Sequence, residues 1–278
     1  MSFNWEGFTE QERARIEKNK FYWDNDRQAT AQSNITNKST KQIERQIKKY
    51  YKTAVNRTIK DFEDTYTHLL QAVKDGREPT PADLYKLDKY WQTQAQMRAQ
   101  LQKLGDKQIA ALTKGFELNF FEIYHSIALP SGDAYSTIDA EMVTQMINQI
   151  WCADGKSWSD RVWSNTEKLA ETLNEELINC VLNGNTSSDL KKKLMHRFGV
   201  SYTNADSIAR TELAHIQTEA AKKRYEDAGV SKVQIWADED ERRCDVCGKL
   251  HEKIFLVGEH VPIPAHPRCR CCILPVIE

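Results

Sequence analysis

The chain has 278 residues, 28 % of them charged and 40 % hydrophobic, with a net charge of −1 at pH 7. That length suffices for one large domain or two modest ones, each with its own core. The near balance of 39 basic and 40 acidic residues excludes a protein that coats nucleic acid through bulk positive charge, although a local basic stripe stays open.

No run of 18 or more apolar residues occurs, so no helix is expected to span a membrane. The first segment, MSFNWEGFTEQERARIEKNK, lacks the apolar core of a secretory signal, which predicts synthesis in a reducing cytoplasm. Glycine and proline are sparse at 11 and 7, and Lys, Glu, Gln, Ala and Leu are common, so helix should dominate.

In chain order, the first strong pattern lies in KSTKQIERQIKKYYKTAVNRTIKDFEDTYTHLLQAV. Ile43, Ile47, Tyr51, Val55, Phe62, Tyr66 and Leu69 recur at helical spacing along one stripe of a long helix. DGREPTPAD breaks it, and Thr80, Pro81 and Asp83 form a cap, first-turn proline and capping-box acid for a second helix. That helix, with Leu84, Leu87 and Trp91, is predicted to stop at Gly105, and another to run from Asp106 to Ala128. LPSGDAYST, residues 129–137, reads as an internal linker. Helices are then predicted at 137–152, at 158–183 with Gly184 as its terminator, at 188–198, and from a Thr203 cap to Gly229. Val233, Ile235 and Ala237 alternate in a strand, and IFLVGEHVPIP is β-prone. The expected fold is mainly α, with a small C-terminal β element clamped by a metal.

Five of the seven cysteines fall between Cys244 and Cys272, together with three of the seven histidines. In a reducing compartment that density suits a metal site better than disulfides. Cys244 and Cys247 form a C-x2-C pair whose short loop lets two thiolates face one ion. Eighteen residues later comes H-x2-C-x-C-C, with His266, Cys269, Cys271 and Cys272. His266 and Cys269 complete the site if H-P-R-C makes a turn. Cys269 with Cys271, on one face of an extended segment, is the alternative, with His266 behind them. His251 and His260 are weaker candidates. Sulfur-rich donors favour zinc, in a closed structural role, because so short an element has too little apolar surface to fold alone.

Other features carry less. Lys38–Lys60 holds eight basic residues against Glu44, with Tyr50 and Tyr51 interleaved; this is a solvated helix face or a nucleic-acid or acidic-partner surface. No phosphate-binding glycine loop, nucleophile elbow or H-E-x-x-H motif occurs.

The C-terminal residues resemble the Mu F-like head-morphogenesis family of tailed-bacteriophage minor head proteins. The resemblance rests, in order, on Arg210-Thr211-Glu212, Ala220-Ala221, Gly229, Trp236, the Cys244/Cys247 pair, His266-Pro267-Arg268-Cys269-Arg270-Cys271 and Pro275, over about residues 165–278. Cys272 is a sulfur beyond the usual motif. The resemblance implies a virion component of the inner head or portal region, made in the bacterial cytoplasm. Such a component would contact the portal protein, other head proteins and viral DNA during head morphogenesis, packaging or DNA delivery. It implies no catalytic residues, no membrane and no small-molecule substrate. Residues 1–130 would then be a helical docking region, and 131–278 the family domain, with its zinc tail at about 230–278. On this view Arg210, Glu212 and Trp236 couple the long helix to the tail, and Arg268 and Arg270 contact phosphate or a partner. The competing reading is a zinc-dependent DNA-binding protein or a nuclease that processes phage DNA.

Overall fold

The computed structural model describes residues 25–73, 77–127, 138–237 and 243–276; the 129–137 linker lies outside them. Among the described residues, helix α1 spans Asn25–Ala72, α2 Pro81–Tyr85, α3 Asp88–Ser126, α4 Ala140–Ile147, α5 Trp158–Leu182 and α6 Ser187–Asp227. Strand β1 follows at Lys232–Trp236, then helix α7 at Asp245–Leu250, β2 at Ile254–Leu256 and β3 at Cys272–Pro275. The protein is therefore a mainly helical body with a small C-terminal β element.

Several helices depart from expectation, and the one predicted to carry Leu84, Leu87 and Trp91 is divided between α2 and α3. α1 begins at Asn25, well before the apolar stripe starts. Its first turns bury Ala29, Gln32, Ser39 and Thr40, small and polar side chains that leave no hydrophobic period to read. α3 runs straight through Gly105, where a helix end was predicted. The glycine serves close packing there: a Cβ would lie 2.3 Å from the Trp163 ring. α6 is a single helix through Gly199 and Thr203. Instead of capping a new helix, the Thr203 hydroxyl donates to the Gly199 carbonyl one turn back, at 3.0 Å. α4, by contrast, is shorter than its predicted 137–152.

Where caps were read from sequence, the local chemistry agrees. Thr80 and Asp83 make a reciprocal capping box with Pro81 in the first turn. Arg77 grips the Asp83 carboxylate through two 2.8 Å bonds, and holds it below the usual carboxylate range. Gly184 and Gly229 take the left-handed backbone, at φ of 59° and 72°, that ends α5 and α6.

The chain groups into two compact units, each built from separated segments. One comprises residues 43–112 and 150–208. Its core holds Ile47, Phe62 and Leu69 of α1, Met97 and Leu101 of α3, Leu173 and Leu177 of α5, and Leu190 and Leu194 of α6. Polar pins cross it. Tyr66 Oη donates to the Asn185 carbonyl at 2.6 Å, and Asn165 Nδ2 donates to the Ser201 carbonyl at 2.9 Å. Burial pushes the Tyr51 phenol up to about 12, against hydrogen bonds to Ser201 and Asn165 that pull it down.

The other unit comprises the described residues within 1–42, 113–149 and 209–278. Its sheet has the order β2-β1-β3, both pairs antiparallel. Ile235 opposes Ile273 and Trp236 opposes Cys272. Val233 and Ile235 are buried on alternate positions, as the strand period requires. Of the β-prone IFLVGEHVPIP stretch, only Ile254–Leu256 is a strand. The fully buried Arg224 donates from Nε to the Ile127 carbonyl at 3.1 Å. Gln32 Nε2 and Tyr225 Oη both donate to the Ile273 carbonyl, at 3.3 and 3.2 Å, which fastens α1 and α6 to β3.

Candidate metal centre

Two short pieces of backbone present the donors. The first is the start of α7. Cys244 is its N-cap, and the Cys247 backbone N–H donates to Cys244 Sγ at 3.4 Å. That bond, acting first, lowers the Cys244 thiol below its ordinary range. Cys247, one turn on, is buried, and burial raises its thiol to about 12.

The second piece is H-P-R-C. The Cys269 N–H donates to the His266 carbonyl at 3.1 Å, closing a four-residue turn with Pro267 and Arg268 at its centre. Arg268 has φ of 62°, the left-handed backbone that the third position of a type II turn demands and that glycine usually supplies. Its N–H donates to Thr211 Oγ1 on α6 at 3.0 Å, which ties the strained turn to the long helix.

These pieces bring five donors together. His266 Nε2 lies 3.3 Å from Cys244 Sγ and 3.1 Å from Cys247 Sγ, and Cys247 Sγ lies 3.8 Å from Cys269 Sγ. Cys244, Cys247 and His266 form one converging triad, and Cys247, Cys269 and Cys271 a second, with Cys247 common to both. His266 Nδ1 sits 2.9 Å from the Pro267 carbonyl. A carbonyl only accepts, so Nδ1 carries the hydrogen and Nε2 turns its lone pair toward the sulfurs. The same bond is the first cause raising the His266 pKa. The hydrogen bond from Cys271 draws the Cys269 thiol down to about 5, and the same bond raises the Cys271 thiol.

The donors suit a tetrahedral zinc ion. Zn–S bonds of about 2.3 Å place sulfurs about 3.8 Å apart, and sulfur and imidazole nitrogen about 3.6 Å apart. The Cys247–Cys269 separation of 3.8 Å matches, and the two sulfur–nitrogen separations fall slightly short. Several soft thiols and one imidazole in one small volume is a donor set that hard cations avoid. The cluster is thus a potential metal-binding site.

The remaining sequence candidates fall elsewhere. Cys272, next to Cys271 but on the opposite face of the extended chain, packs with Ala29 and Leu274 in an apolar cluster. His251 and His260 are not in either converging triad. His251 Nδ1 accepts from the Ala237 N–H at 3.2 Å, and its ring meets Trp236 edge-on at 4.7 Å. Trp236 also donates from Nε1 to Asp26 at 3.2 Å. Glu212 is buried, and Arg210 is half-buried in a pocket beside Arg268 and Arg270. Within the Arg210-Thr211-Glu212 triplet, Thr211 Oγ1 accepts a hydrogen bond from the H-P-R-C turn. Sequence reasoning passed over that residue, although a hydroxyl between two charged residues of a motif was the available signal.

Fold and site together define a mainly helical protein whose C-terminal β element carries a sulfur–imidazole cluster. Residues 171–274, less than half of the chain, match the family described as Phage Mu protein F like protein. That partial match is consistent with a protein related to phage head morphogenesis. No curated protein and no solved structure matches the chain.

Proposed function

We propose that this protein is a minor head component of a tailed bacteriophage, acting in head assembly by binding, without turnover. The match of residues 171–274 to the Mu F-like family carries the reading. A zinc ion held by Cys244, Cys247, His266 and Cys269, with Cys271 as the alternate ligand, would cross-link α7 to the H-P-R-C turn. The ion's contribution would be rigidity. The helices would dock on the portal protein or other head proteins, at the inner face of the head, during genome packaging or delivery. The Thr211 bond to the turn supports a tail whose position follows that of α6.

Quantitative mass spectrometry of purified virions that encode this chain tests the reading. The expected result is a few copies per particle, retained when DNA is removed. Absence from the particle overturns it, as does metal-dependent cleavage of plasmid DNA by the purified protein.

A further inference from the structure

We propose that the pocket formed by α1, α6 and the loop after the H-P-R-C turn binds a phosphate group of nucleic acid. The inference stands on the pocket's geometry and does not depend on the head-assembly reading.

Three walls meet there, all within one unit. Ser33, Thr36, Asn37 and Thr40 lie on one face of α1, at helical spacing. Arg210, Ala214 and Gln217 line up in the same way on α6. Arg268, Cys269 and Arg270 supply the third wall. The pocket holds about 330 Å³, far above the roughly 10–15 Å³ that one water needs, so a phosphate enters with its attached groups.

The lining has a definite sign. Three arginines, Arg210, Arg268 and Arg270, line the pocket, and no aspartate or glutamate does. Each arginine also takes part in another interaction of the fold. The hydroxyls differ in what they can still give. Thr40 Oγ1 donates to the Thr36 carbonyl at 2.8 Å, whereas Ser33 Oγ accepts from Asn37 Nδ2 and Thr36 Oγ1 accepts from Asn119 Nδ2, both at 3.3 Å. A hydroxyl that accepts still carries a hydrogen, so Ser33 and Thr36 are the two that can donate to a bound oxyanion. Arginine forks and hydroxyl donors arriving from three directions match a tetrahedral oxyanion with several acceptor oxygens better than a planar carboxylate with two. Cys269 places the pocket against the candidate metal centre, so Arg268 and Arg270 flank a potential ligand.

The protein's net charge is −1, so affinity would come from this local geometry rather than from bulk charge. The chemistry is shared by a phosphodiester backbone and by free phosphate, and two probes separate these sources. The full chain would be titrated calorimetrically with inorganic phosphate, and by fluorescence anisotropy with a labelled single-stranded oligonucleotide. The variant is Arg268→Gly with Arg270→Gln; glycine keeps the left-handed turn, and unchanged circular dichroism and metal content verify the fold. The expected result is oligonucleotide binding that falls at least tenfold in the variant and is competed by phosphate. Phosphate binding alone, lost in the variant, would keep the oxyanion site and reassign its source to a free phosphate. Three results overturn the proposal: neither probe binds, binding is the same in the variant, or an acidic peptide binds where both phosphate probes fail.

Discussion

Single residues show how one chemistry serves opposite ends here. Gly184 and Gly229 stop helices because each adopts positive φ, whereas Gly105 continues a helix because Trp163 fills the space of its missing side chain. Gly105→Ala should therefore destabilise the protein although alanine is the better helix former. Overpacking costs about 1–3 kcal/mol and the propensity gain recovers about 1 kcal/mol. Urea denaturation measures the balance, and in a Trp163→Ala background the same change should become stabilising. A Gly105→Ala variant with an unchanged or raised midpoint in the native background would contradict the packing argument. The neighbouring sulfurs Cys271 and Cys272 divide in the same manner. Adjacent positions on extended chain face opposite sides, so one joins the sulfur–imidazole cluster and the other the apolar core.

At the scale of elements, the H-P-R-C turn and its anchor on α6 form a testable pair. Arg268 bears the left-handed strain, and Thr211 accepts its N–H. Removing the acceptor in Thr211→Val should cost about 1 kcal/mol, and amide exchange at Arg268 should accelerate. Adding Arg268→Gly to that variant should return most of the stability, because glycine adopts positive φ without penalty. If exchange at Arg268 is the same with and without the Thr211 hydroxyl, the anchor is not holding the turn. Much of this layer was legible beforehand. The Thr80–Asp83 box, the start of α5, and the alternation of Val233 and Ile235 are local patterns whose causes lie within a few residues. What stayed hidden depends on distant partners. Trp163 keeps Gly105 helical from another helix, and Gln32 is buried against Tyr225 and Ile273. Likewise, the spacing of cysteines and histidines announced a cluster, but not that Cys247 would be its shared member.

For the molecule as a whole, the metal centre and the helices should respond differently to a chelator. The cluster joins α7 to the turn before β3. Removing the zinc ion proposed for this site should raise amide exchange across residues 243–276 and leave far-ultraviolet circular dichroism nearly unchanged, since the long helices dominate that signal. Cys244→Ser with Cys247→Ser should reproduce the effect without chelator. Loss of most helical signal on chelation would instead make the ion essential to the entire fold.

The compact units have a practical corollary for anyone cutting the gene. The described residues within 1–42, 113–149 and 209–278 belong together, while the stretches that intervene at 43–112 and 150–208 belong to the other unit. Every truncation divides the sulfur-bearing unit, and a cut before residue 43 or after residue 208 keeps the other unit's segments only with pieces of its neighbour still attached. Studying the sulfur-bearing unit in isolation calls for a redesigned connectivity, with new linkers bridging the excised stretches, rather than a shortened reading frame.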